Sequence, residues 1–228
     1  MLINFYSLLI LLHCHFHTYR NHRIALIMET SHCFEQQLHQ LSHLFILQQQ
    51  EAFAQLLDQL EFQYYTQPVY FNQLIQAVFE LLPHPLANES KNTFDLYVFL
   101  SNNWLNLGLA QQQHLVSSIE RNYTSYQQPD VLRVINEIIG EKLANKAAWR
   151  LIQHLENSTS GLHRAQIPLM LGRLIQHTSS TALKRQAVIM LQLLTQNDER
   201  LTRQQAQHIL QRTMRLMNPR IWRSLGLA

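Results

Sequence analysis

The chain has 228 residues, of which 46% are hydrophobic and only 14% charged, and its formal net charge is +3. It holds five glycines and six prolines. Hairpins and tight turns draw on those two residues, so their scarcity excludes a sandwich or barrel and points to an all-α protein whose polar surface is largely glutamine, a good helix former.

The opening run MLINFYSLLILL is apolar for about twelve residues, against ~20 for a spanning helix, so no stable membrane insertion is expected. It lacks the preceding Lys or Arg and the small residues at a cleavage position that a secretory leader carries. His13, Cys14, His15, His17 and His22 are metal-ligand types without the paired spacing of a zinc site, and no metal or cofactor is expected. Cys14 and Cys33 read as free thiols of a reducing compartment, which implies a cytoplasmic protein. A well-formed helix start follows Met28, so residues 1–27 read as a dispensable segment, with Met1 a mis-assigned start and Met28 the true one.

From there the chain reads as an N-terminal helical part, 28–86, and a C-terminal part, 87–228. At 100° per residue, Phe34, Leu38, Leu41, Leu44 and Phe45 share one arc, with His39 and His43 opposite. Phe53, Leu56, Leu57, Leu60 and Tyr64 repeat the pattern, which predicts a helical hairpin. A third helix over 70–82 is ended by Pro83 and Pro85. The polar stretch HPLANESKN is the best boundary in the chain. A helix over 93–107 carries Phe94, Tyr97, Val98, Leu100 and Trp104, and another covers 110–122. Pro129 suits the first turn of a helix that closes at Gly140. Helices over 142–156, 162–177, 181–195 and 202–217 follow, joined by short connections that make neighbours antiparallel. Trp104 and Trp149 are assigned to the core.

The segment ALKRQAVIMLQLL places Arg185, Ala187 and Leu191 in the order found in the inner helix of a HEAT-type repeat. Over about residues 130–217 the chain therefore resembles HEAT-like and ARM-like helical repeats. That resemblance implies antiparallel helix pairs stacked as a right-handed HEAT-like superhelix; a non-repeating helical bundle is the alternative.

No glycine-rich phosphate loop, His-Glu-x-x-His or Gly-x-Ser-x-Gly motif occurs. Asp95, Glu137, Glu141 and Glu156 are the carboxylates nearest apolar stretches, and the sequence pairs none of them. Charge is the stronger signal. Residues 1–128 hold four basic and nine acidic side chains, whereas residues 129–228 hold fourteen basic and six acidic. The cations Lys184, Arg185, Arg200, Arg203, Arg212, Arg215, Arg220 and Arg223 make the C-terminal half the positive pole, and Arg is suited to carboxylate or phosphate through its planar fork. The expected function is that of a non-enzymatic interaction protein, a scaffold, adaptor or inhibitor of an acidic protein. Nucleic-acid binding through the Arg-rich half is the second reading, and an enzyme with an unrecognised site between helices the third.

Overall fold

The computed structural model describes residues 32–83 and 91–216. Residues 1–27, the HPLANESKN boundary (apart from Lys91 and Asn92), Arg220 and Arg223 lie outside that description. The protein is all-helical, with no strand among the described residues. It divides into two compact units, Met1–Ala77 and Val78–Ala228.

The first unit contains α1 (residues 32–46), α2 (Gln50–Tyr64) and most of α3 (Pro68–Leu81). The arcs read from the sequence are the ones buried: Phe34, Leu41, Leu44 and Phe45 on α1, and Phe53, Leu56, Leu57, Leu60 and Tyr64 on α2. His39 and His43 face solvent. Three rings from three helices meet in this core. Phe34 lies 4.6 Å from Tyr64 and 5.0 Å from Tyr70 in edge-on contact, a geometry that sets positive ring edges against negative faces. The α1–α2 turn is made by Gln48 in the left-handed region, φ 55°. Backbone bonds there run from Gln48 to Phe45 and from Gln49 to Leu44, occupying the last carbonyls of α1.

The second unit holds α4 (Asn92–Asn102), α5 (Leu109–Asn122), α6 (Pro129–Glu137), α7 (Lys146–Glu156), the short α8 (Gly161–Arg164), α9 (Ile167–His177), α10 (Thr181–Leu194) and α11 (Arg200–Leu216). At its centre is α9, which packs against α6, α7, α10 and α11. Asn145 caps α7 by accepting from the Ala147 and Ala148 amides, and Ser180 caps α10 by accepting from Leu183.

Several boundaries differ from the sequence reading, each for a physical reason. Gly140 does not end α6; the helix widens into a π-helical segment, Ile138–Leu143, and stops at Ala144, which is left-handed with φ 41°. A Cβ at Gly140 would lie 2.5 Å from the Arg173 Cβ and 2.7 Å from the Met170 carbonyl oxygen. This glycine is therefore required by close approach to α9 and not by a turn. The helix expected over 162–177 is two, α8 and α9, because Pro168 sits in the first turn of α9 and cannot lie inside a continuous helix. The α4 helix stops at Asn102, where the Asn103 side chain donates back to the Phe99 carbonyl at 2.9 Å. Trp104 and Trp149 are only half-buried. The buried stripe of α7 is Ala148, Leu151, Ile152 and Leu155, and at 100° per residue Trp149 stands about 110° from its centre.

A chain of buried polar groups ties α4, α6 and α8 together. The Tyr97 and Tyr126 hydroxyls lie 2.9 Å apart, and His163 Nε2 lies 2.9 Å from the Tyr126 carbonyl oxygen. Tyr123 donates to Asn136 Oδ1 at 3.0 Å, and Asn136 Nδ2 donates to Gln166 at 2.9 Å. Burial raises the pKa of Tyr97, Tyr123 and Tyr126, because a phenolate there would lose its hydration.

Two outcomes follow from these packings. A tyrosine whose folded pKa is raised contributes stability that is intact below its unfolded value of about 10 and is lost as pH rises above it. The unfolding free energy from urea titration should be flat in this respect up to about pH 10 and fall beyond it by up to ~1.4 kcal/mol per pH unit for each buried phenol; a flat profile to pH 11 would show that the three tyrosines are open to water. At Gly172, a Cβ would stand 2.6 Å from Ile209 Cγ2. Gly172→Ala should lose about 1 to 2 kcal/mol despite the gain of ~1 kcal/mol in helix propensity. Gly140→Ala should lose more, since a backbone carbonyl blocks it. A stabilised Gly140→Ala protein in denaturant titration would contradict the close approach.

Candidate functional site

Three helices of the C-terminal unit each present a short face to one groove of about 230 Å³. Helix α6 contributes Arg133, Asn136 and Glu137; α9 contributes Leu169, Gly172, Arg173 and Gln176; α11 contributes Ile209, Arg212 and Thr213. Within each helix these positions recur at i, i+3, i+4 or i+7, the spacing that aligns side chains along one side. Leu169, Gly172 and Ile209 make the floor apolar, and the three arginines stand around it.

The arginines differ in what holds them. Arg173 is fixed between two carboxylates, 3.4 Å from Glu137 and 3.5 Å from Glu141, and His177 approaches Glu141 at 3.7 Å. These groups are roughly a third exposed, so the pairs orient Arg173 more than they stabilise the fold. Among the described residues Arg133 reaches one carboxylate, Asp130, at 4.0 Å across an open surface. Arg212 makes no ion pair among the described residues and is exposed at the rim. A second depression continues past it, lined by His208, Gln211, Arg212, Arg215 and Leu216.

Among the described residues, the sequence-named cations are not brought together as one stripe. Arg212 and Arg215 lie at the groove and its extension. Arg203 is turned inward along its own helix, donating to the carbonyls of Asn197 at 2.7 Å and Asp198 at 3.2 Å. Arg200 is exposed in the first turn of α11, while Lys184 is half-buried and Arg185 exposed on α10. Arg164, on α8, is occupied by a two-pronged contact with Glu199, both bonds at 3.3 Å. Arg133 and Arg173 escaped the sequence reading. Their signal is the pair Gly140 and Gly172, glycines inside otherwise apolar helices, which mark where backbones converge.

Among the described residues, no three His, Cys, Asp or Glu side chains are placed to hold a metal ion, and no helix is long and apolar enough to cross a membrane. Cys33 is an exposed free thiol. No protein-family model, curated protein or solved structure matches the chain.

Proposed function

We propose that this chain is a non-enzymatic interaction protein whose C-terminal unit offers the groove of α6, α9 and α11 to an acidic segment of another protein. The observation that carries this reading is Arg212. It is an exposed guanidinium with no carboxylate partner among the described residues, standing over an apolar floor and beside an arginine held in place by Glu137 and Glu141. A partner carboxylate there gains a charge-assisted, potentially bidentate bond while a neighbouring apolar side chain packs over the half-buried Leu169.

The size of the groove supports a protein ligand over a metabolite. About 230 Å³ is below the ~300–1,000 Å³ of typical small-molecule sites, and suits one or two anchoring side chains. Among the described residues its lining contains no imidazole or thiol, and its one carboxylate, Glu137, is already engaged by Arg173. The mixture of apolar floor, carboxylate and amide also differs from the continuous cationic track that a phosphate backbone uses, since Arg164, Arg173 and Arg203 spend their charge inside the unit.

The test uses a fluorescent peptide of alternating Glu and Leu and a duplex of arbitrary DNA. The peptide should bind the full chain, and Arg212→Glu with Arg215→Glu should weaken it roughly tenfold or more, in keeping with loss of a central charged contact. The melting temperature should hardly move, because exposed charges contribute little to stability. Duplex binding with a logarithmic salt slope of roughly −4 to −5, reduced by about two in the double variant, would replace this reading by the nucleic-acid one. A peptide that binds neither protein ends it.

A further inference from the structure

The N-terminal unit has a surface complementary to this groove. From residue 24 to residue 90 the sequence contains no lysine or arginine. Glu35, Glu51, Asp58 and Glu61 are the carboxylates of the described part of that unit. On α2 the solvent face reads Glu51, Gln55, Asp58 and Phe62, spaced four, three and four residues apart, so they form one stripe along the helix. Phe62 is 90% exposed, and Tyr65 and Val69, at 55% and 69%, extend the apolar surface across the α2–α3 turn. Isolated exposed apolar residues are ordinary on protein surfaces; an almost fully exposed aromatic ring with a carboxylate one turn away, followed by two more exposed apolar residues around the next turn, is a feature of interaction surfaces. Glu51 and Asp58 make no ion pair among the described residues.

We infer that the acidic segment taken by the groove belongs to a second copy of this chain: the α2 stripe of one copy, with Asp58 and Phe62 at its centre, docks into the α6–α9–α11 groove of the next. This rests on the groove reading above. Asp58 supplies the carboxylate that Arg212 and Arg215 lack, and Phe62, one turn on, supplies the apolar side chain that the floor of Leu169 and Ile209 accepts. The stripe carries Glu51 and Asp58 and the rim of the groove carries Arg212 and Arg215, opposite in sign, which steers the copies head to tail. Such an interface joins two different patches, so it leaves one stripe and one groove open at the ends and propagates to a ring or a filament.

Complementation separates this from every other mode of association. In analytical ultracentrifugation the wild type should grow beyond its 26.9 kDa monomer as concentration rises in about 0.1 M salt, and return toward the monomer in about 1 M salt, where screening acts over ~3 Å. A stripe variant, Asp58→Asn with Phe62→Ala, and a groove variant, Arg212→Glu with Arg215→Glu, should each remain monomeric and melt as the wild type does. Mixed, the intact groove of the first and the intact stripe of the second should form a one-to-one dimer that grows no further. Self-association that survives in either variant alone, or variants that fail to pair on mixing, would overturn the inference. So would a wild type that is monomeric at all concentrations. In that last case, continued binding of the Glu-Leu peptide leaves the groove reading standing with a different partner, and loss of peptide binding removes both.

Discussion

The C-terminal unit depends on how closely its helices approach α9. Two glycines set that distance: Gly140 lets the π-helical end of α6 lie against Met170 and Arg173, and Gly172 lets Ile209 of α11 sit against the α9 backbone. With side chains at those positions, α6 and α11 would stand off by the width of a methyl group. The groove lies where the three helices converge, with half-buried Leu169 and the largely buried Ile209 in its lining among three arginines.

The same convergence places the charges. Glu137 belongs to α6 and Glu141 to the π segment that continues it, and both reach Arg173. The widened turn carries Glu141 to α9 alongside Glu137, while the left-handed Ala144 then releases the chain into the Asn145 cap of α7. Arg173 is thereby held in one orientation. Arg212 makes no ion pair among the described residues, and in the proposed function it is the group that a partner carboxylate would engage.

Most of the fold was legible from periodicity. The buried faces of α1 and α2 match the apolar arcs residue for residue except at Leu38, which is half-buried, and the ends of α10 and α11 fall within two residues of the sequence reading. Periodicity failed where tertiary contact decides the outcome. A glycine in a helix reads the same whether it stops the helix or admits a neighbour, so the sequence alone points to an end at Gly140. Helical spacing places Trp149 in the core, but it lies at the flank of its stripe. For the candidate site, net charge points to the half of the chain that holds the groove but cannot distinguish an arginine spent on its own backbone, such as Arg203, from one exposed at the rim, such as Arg212. That distinction depends on which loop carbonyls and carboxylates fold back within reach, and no spacing rule encodes it.

The absence of lysine and arginine between residues 24 and 90 also has a practical side. Trypsin cuts only after those residues, so the entire described part of the first unit leaves a digest inside one peptide running from residue 24 to Lys91, whether that unit is folded or open. Amine-directed cross-linkers likewise find no side-chain anchor there. Peptide mapping, footprinting or cross-linking of this protein will report on the C-terminal unit alone unless the chemistry is directed at carboxylates, of which the first unit has an exposed set, or at the thiol of Cys33.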